Sequence, residues 1–441
     1  MTMFEIITDK KFGRELTRGQ IEFFIKGAAD GSIKEYHLAA LLMALRLNGM
    51  TDRELLDMTL AMARSGTMLN LDPIGVPCVD KHSTGGVGDT TTLILAPLVA
   101  ACGVPVCKLS GRGLAHTGGT VDKLESIPGM RMQLTSKEML DCLGKVGCVI
   151  AGQSGDMAPA DKTLYALRDV TSTVDSIPLI ASSVMSKKIA GGAHGIVLDV
   201  KTGSGAVIQD IQGSIKLAEA MVSIGANAGK NVIALVTSMS QPLGTHIGNA
   251  LEVKEAIDIL SGHAAGDLRQ VSLRLGSYML LAAGKTGTLE EAEVLLRRAL
   301  ADGSGLAKLE EIIGAQGGDA RVCRDTRLLP AAPCVQAFYC RAGGYMGRMD
   351  TEKLGLCAMS LGAGRATAEG TIDPSVGFVL HRRAGDAVSK GDALFTVHAA
   401  DALKLHEAAE TLFNIVPIVS ERPAPEKLID AVVDASGVRL C

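Results

Sequence analysis

Two glycine-rich segments carry most of the chemistry-bearing side chains. The first, Asp80–Thr92, sets Lys81, His82 and Ser83 ahead of Gly85, Gly86 and Gly88. The second, Ser110–Glu125, reads Ser-Gly-Arg-Gly-Leu-Ala-His-Thr-Gly-Gly-Thr-Val-Asp-Lys-Leu-Glu. Glycines let backbone amides approach a ligand closely, and Lys, Ser and Thr beside them add charge and donors. That combination suits an oxyanion, most simply phosphate. The first loop is not a Walker A sequence, because Lys81 precedes its glycines rather than following them. Lys81, Ser83 and Thr92 are candidate phosphate donors, joined by Lys108 and Ser110 from the next strand end. A single loop of this kind is as often a tight turn. Two at consecutive strand ends, each with Lys and Ser, are harder to assign to turns alone.

His82, between Lys81 and Ser83, is the candidate for proton transfer; His116 in the second loop is read as structural. Arg168 and Lys187 are long cations in otherwise apolar helical contexts. Ser183 and Lys187, four residues apart, share a helix face. An Arg fork and a Lys ammonium facing a phosphate site suit a carbonyl-rich heterocycle. Asp122 and Glu125, with Arg112 and Lys123 nearby, read as an ion-pair network, and Lys201 and Ser204 as structural.

These residues need elements to hold them. Residues 1–66 read as a helical bundle. Thr17–Gln20 and Thr51–Glu54 are capping-box patterns, and Leu55, Met58 and Met62 recur at helical spacing. From about Pro73, short apolar runs end in polar loops and are followed by helices. The runs are Val76–Val79, Pro105–Leu109, Gly147–Ala151, Gly195–Val200 and Asn231–Val236. Five such units predict a largely parallel sheet with its polar loops gathered at the carboxyl ends of the strands. Helices over 158–170 and 176–190 interrupt the alternation and are expected to rejoin the N-terminal bundle, placing Arg168 and Lys187 across a cleft from the glycine loops. The expected organisation is thus an α/β protein. A helical domain (1–66 with 158–190) is hinged to a mostly parallel α/β domain (73–157 and 191–330), followed by a β-rich extension over 331–441. Within the last, Gly385–Asp392 resembles the turn of biotinyl- and lipoyl-type sandwiches, but no modifiable Lys sits in a matching hairpin.

Composition narrows the class. The chain has 441 residues, 47% of them hydrophobic, with no Trp, 3% aromatic residues and a net charge of −4. This argues against a nucleic-acid footprint. No secretory signal or membrane-length apolar run is seen. The ten scattered cysteines suit a reduced cytoplasmic protein, and the nine histidines show no zinc-ligand spacing.

The glycine segments, Arg168–Pro178 and Ser183–Lys188 resemble the thymidine and pyrimidine-nucleoside phosphorylases, whose signature positions 110–125 match throughout. The resemblance covers essentially the whole chain. It implies a homodimer and reversible phosphorolysis of a pyrimidine nucleoside to base and pentose 1-phosphate. It implies phosphate binding by Lys81, Ser83, Thr92, Lys108, Ser110 and Thr120. Pyrimidine binding falls to Arg168, Ser183 and Lys187. The implied catalytic groups are His82, taken as protonated, with Arg168 and Lys187. Domain closure joins the half-sites. Lys108 and Gln241-Pro-Leu-Gly244 favour the broad pyrimidine type, acting on uridine, thymidine and deoxyuridine, over the thymidine-restricted type. The broad type implies a potassium ion at Gly88, Thr90, Leu243, His246 and Glu255, with His246 departing from the small residue expected there. No organic cofactor and no nucleic-acid or membrane partner is implied. An anthranilate phosphoribosyltransferase-like activity and a non-catalytic nucleoside-binding protein are the rival readings.

Overall fold

The structure is a computed structural model describing residues 1–113, 116–153, 155–365, 367 and 370–441. Leu114, Ala115 and Ser154, which belong to the loops singled out above, lie outside the described residues.

Four helices, Met3–Lys11, Arg18–Asp30, Glu35–Asn48 and Asp52–Ala63, form the N-terminal bundle. Both expected capping boxes are present, with Thr17 and Thr51 accepting from the amides of Gln20 and Glu54. Helix Pro159–Val170 packs on this bundle through Leu164, whereas Ile177–Ala190 spans two cores: Leu179 joins Ile6, Phe24, Leu41 and Met58, and Ala181, Met185 and Ile189 join Ile196, Leu198 and Ala234 of the main sheet. A buried Lys10–Glu54 pair at 2.8 Å fixes the first helix to the fourth.

The main sheet contains five parallel strands: β1 (Val79–Ser83), β2 (Val106–Ser110), β3 (Cys148–Gly152), β4 (Gly195–Thr202) and β5 (Asn231–Ser238). Their order is β5-β4-β1-β2-β3. β2, β3 and β4 are buried along their whole length, as expected for a parallel sheet covered on both faces. The chain direction across the sheet reverses between β1 and β4. That is the topological switch point, where the loops after the two strands diverge and leave a crevice.

Two sequence expectations change. The first strand is not Val76–Val79 but Val79–Ser83, so Lys81, His82 and Ser83 sit on a strand end instead of in the loop. The polarity of Asp80-Lys-His-Ser disguises this strand. Its charges are neutralised by partners from other strands and helices, which a local pattern does not reveal. The β-rich extension also does not keep its final strands. Ile429–Asp434 and Gly437–Leu440 form an antiparallel hairpin that joins the main sheet at the free edge of β5. Its apolar run Ala431–Val433 is buried with β4 and β5.

The rest of the extension has its own core, with a four-stranded sheet including Cys334–Tyr339, Gly377–Leu380 and Ala393–Ala399. Phe338, Phe395 and Phe413 cluster there. The fourth strand, His246–Ile247, comes from the α/β domain and pairs with Gly377–Leu380, so the extension is stitched to the chain beside the switch point. Among the described residues, no helix is long and apolar enough to cross a membrane, all ten cysteines are free thiols, and no cluster of His, Cys, Asp and Glu is placed to hold a metal ion.

Candidate active site

A cavity of about 370 Å³ opens at the switch point. One wall comes from the strand ends and glycine loops: Lys81, His82, Ser83, Thr92, Lys108, Ser110 and Thr120. The other comes from the two returning helices: Arg168, Ser183 and Lys187. Every phosphate, pyrimidine and catalytic candidate read from the sequence therefore faces a single space. Close backbone packing shapes the second glycine loop. A Cβ on Gly119 would lie 2.0 Å from the Gly113 amide nitrogen, so only glycine permits this fold of the loop.

The phosphate-side wall rests on a buried ionic lattice. Lys81 sits 3.0 Å from Asp199 and donates to the Thr91 hydroxyl at 2.6 Å. Lys201 reaches Asp199 at 2.8 Å and Asp89 at 3.8 Å. Lys188 pairs with Asp80 at 2.7 Å, and Lys123 with Glu252 at 2.6 Å. Burial alone would raise the Asp89 carboxyl, but Lys201, Lys81, Lys123 and a hydrogen bond from Ser83 hold it well below the usual carboxylate range. Of the residues proposed from sequence, Lys81 and Ser83 are thus already engaged by carboxylates. Lys108 is different: among the described residues its ammonium reaches only the Leu109 carbonyl, at 3.0 Å. The Ser110 hydroxyl is buried without a hydrogen-bond partner among the described residues. Lys123 belongs to this lattice and not to the Arg112 network, where Arg112 and Arg365 meet Asp122 and Arg112 also meets Glu125.

The resemblance takes His82 as protonated, and the surroundings of its ring oppose that charge. Desolvation, then Lys188, Lys108, Lys187 and Lys81 in turn, push its pKa well below the ordinary imidazole value. In the empty cavity these surroundings favour the neutral imidazole, which donates from one nitrogen and accepts at the other.

The opposite wall is built on helix spacing. Ile180, Ser183, Val184 and Lys187 fall on one face of Ile177–Ala190 and line the cavity together. Lys187 is held at 2.7 Å by Asp161, a buried carboxylate on Pro159–Val170, and lies 3.3 Å from the Ser183 hydroxyl. The Arg168 guanidinium donates to the carbonyls of Thr173, Leu179 and Val174 at 3.3, 3.1 and 2.8 Å. A guanidinium has five N–H donors, so two remain for a ligand. Tyr165, nearly one turn before Arg168, lies under it at 5.8 Å and also lines the cavity. Sequence reasoning missed Asp161 and Tyr165, although both sit on the Arg168 helix face at turn spacing. Val174, Ile180 and Val184 supply the apolar surface that a flat ring needs.

Two of the segments expected to hold potassium, around Gly88 and around Leu243–His246, approach one another, with the Leu243 amide donating to the Val87 carbonyl at 3.2 Å. A Cβ on Gly88, whose φ is +63°, would fall 3.4 Å from the Gly244 carbonyl oxygen and 3.5 Å from that of His246. The Glu255 carboxylate accepts from the Thr245 amide at 2.7 Å and the His246 amide at 3.3 Å. Carbonyl oxygens suit a hard cation, but the Gly244 amide nitrogen, 3.2 Å from that Cβ position on Gly88, lies nearer than either carbonyl oxygen and is no cation ligand. Two members are otherwise engaged: the Thr90 hydroxyl donates to Glu252, and the Leu243 carbonyl accepts from Arg383. The unexpected side chain of His246 points at Glu255, 3.7 Å away.

The fold and the two-walled crevice define a class. Residues 4–66 match the helical bundle domain of the glycosyl transferase family and residues 75–306 its a/b domain. Residues 345–419 match the pyrimidine nucleoside phosphorylase C-terminal domain. The pyrimidine-nucleoside phosphorylase of Geobacillus stearothermophilus is 51% identical over 399 residues, covering 90% of this chain and 92% of that protein. That of Bacillus subtilis (strain 168) is 49% identical over 433 residues, covering 98% of this chain and 100% of that protein. The chain belongs to the pyrimidine-nucleoside phosphorylase family. The crystal structure of anthranilate phosphoribosyltransferase from Thermus thermophilus shares the fold, with a TM-score of 0.59 at 20% identity over 70% of this chain and 98% of that one.

Proposed function

We propose that this cavity performs reversible phosphorolysis of uridine, thymidine and deoxyuridine, yielding free base and ribose or deoxyribose 1-phosphate in nucleoside salvage or catabolism. The observation that carries the reading is the meeting of an oxyanion-type wall and a heterocycle-type wall in one cavity. Lys81, Ser83, Thr92, Lys108, Ser110 and Thr120 hold phosphate against the anomeric carbon. A phosphate oxygen forms a bond to that carbon as the C–N bond breaks, and the bonding pair leaves with the base. Lys187 and the two remaining Arg168 N–H groups stabilise the negative charge developing on the pyrimidine oxygens. Ser183 orients the ring. His82, neutral, donates a hydrogen bond to the base oxygen nearest the glycosidic bond. The walls belong to different domains, so closure about the hinge segments brings the reactants together and excludes water.

Lys108 and the Gln241–Gly244 segment support the broad substrate range over a thymidine-restricted one. Gly88, Thr90, Leu243, His246 and Glu255 would hold potassium, which would supply a fixed positive charge bridging the first glycine loop and the segment after β5. The exposed Phe4, Phe12, Tyr36 and Leu47 of the helical bundle support a homodimer, and the free thiols a cytoplasmic location.

The test is to incubate uridine, thymidine and deoxyuridine separately with phosphate and follow free base. Release from all three, dependent on phosphate, is the expected result. Release from thymidine alone would restrict the substrate range, and release from none would overturn the phosphorolysis reading.

A further inference from the structure

The phosphate-side lattice has one cation too many. Lys81, Lys123, Lys188 and Lys201 each have a carboxylate within ion-pair reach, from the set Asp80, Asp89, Asp199 and Glu252. Four lysines therefore face four carboxylates. Lys108, buried like the others, has no carboxylate within ion-pair distance among the described residues. Its one acceptor, the Leu109 carbonyl, is shared with Lys188, which reaches it at 2.9 Å.

We propose that Lys108 acquires its positive charge only as phosphate enters, taking one proton from solvent for each phosphate bound. This rests on the phosphorolysis reading of the cavity. An isolated buried ammonium is costly, and such a group sheds its proton instead. The groups facing it all act on that balance. From β1 come Asp80, Lys81 and the neutral His82; from the loop after β1, Asp89; from helix Ile177–Ala190, Lys187 and Lys188. On the other side β3 offers Ile150 in register and no charge. Desolvation, Lys188 and Lys81 hold the Lys108 pKa well below the ordinary lysine value, with Asp80 and Asp89 only partly opposing them. A phosphate dianion in the cavity supplies the missing carboxylate-like partner, restoring the proton and giving Lys108 an ion pair of its own. The site is thus near neutrality when empty and becomes a full cation only in the presence of its anion.

The linkage has a definite sign. Between the Lys108 pKa of the free enzyme and that of the complex, phosphate affinity falls about tenfold per unit rise in pH. Calorimetric titration with inorganic phosphate at about pH 8.5, in two buffers of different ionisation enthalpy, counts the protons directly, since phosphate itself is almost wholly dianionic there. The expected result is uptake of about one proton per phosphate in the unaltered protein and none in Lys108→Met or Lys108→Gln, both of which still bind phosphate, more weakly. Neither substitution should lower the thermal midpoint in phosphate-free buffer, since each removes an unpaired buried amine. Tight phosphate binding without proton uptake would overturn the proposal while leaving base release, and hence the phosphorolysis reading, intact. Undiminished uptake in both variants would overturn it in favour of His82. Absence of both phosphate binding and base release would remove both readings together.

Discussion

The two walls of the cavity hold their positive charge by different means. On the sheet side, ammonium groups from β1 and β4 and from two helices are clamped by carboxylates that are themselves buried, with Asp199 serving Lys81 and Lys201 at once. On the helix side, Lys187 has one carboxylate, Asp161, and Arg168 has only main-chain carbonyls. The sheet-side cations are therefore tied into the core of the domain by buried carboxylates, whereas Arg168 and Lys187 are held by the two helices that carry them and by the segment between. The proposed reaction, in which a small, multiply charged nucleophile displaces a flat leaving group from a sugar, suits this division.

Asp199→Asn is the harshest way to test this contrast. Removing the shared carboxylate leaves two buried ammonium groups under-compensated, and breaking such a pair costs roughly 3–5 kcal/mol. Denaturant unfolding should show a loss of that order. A loss no larger than that of Asp161→Asn would erase the distinction between the walls.

Arg168→Ala and Lys187→Ala address the other half. Removing one charge-stabilising donor lowers turnover by about 10²–10³, and phosphate affinity should stay nearly unchanged. Steady-state kinetics with a parallel phosphate titration separates the two effects. An equal fall in phosphate affinity would show that the walls are not independent.

Lys108→Met acts at the seam. It is expected to lower kcat/KM for uridine more than for thymidine, by about one order of magnitude if a single charge-assisted hydrogen bond is lost. An unchanged ratio would take Lys108 out of substrate selection. The mildest change is Thr51→Ala, which removes the N-cap of helix Asp52–Ala63. It should cost about 1 kcal/mol of stability without altering either substrate's KM, because that helix lies outside the cavity.

What is legible in the sequence divides along the same line. The helical bundle is readable because its signals are local: Thr51 and Glu54 cap within one turn, and Leu55, Met58 and Met62 repeat at one helix face. The candidate residues are readable as types, and their convergence follows from strand, loop and helix alternation. The lattice is not readable. Asp80, Asp199 and Lys188 meet only because β1 pairs with β4 and a distant helix crosses them. The true bounds of β1 and the charge state of His82 are hidden for the same reason. Burial first, and then lysines from three separate segments, lower the His82 pKa, and no spacing along the chain announces them. The hairpin Ile429–Leu440 follows the extension in the chain, yet position along the chain says nothing about which sheet edge is open.

That hairpin has a consequence for how the molecule comes into being. During synthesis, β5 leaves the ribosome with one side of its backbone unpaired, and it stays so while the later helices and the whole extension are made. An unpaired apolar edge can recruit strands from neighbouring chains. The hairpin that closes it is made only after those helices and the extension, so a segment far along the chain from β5 is the one that protects nascent molecules from one another.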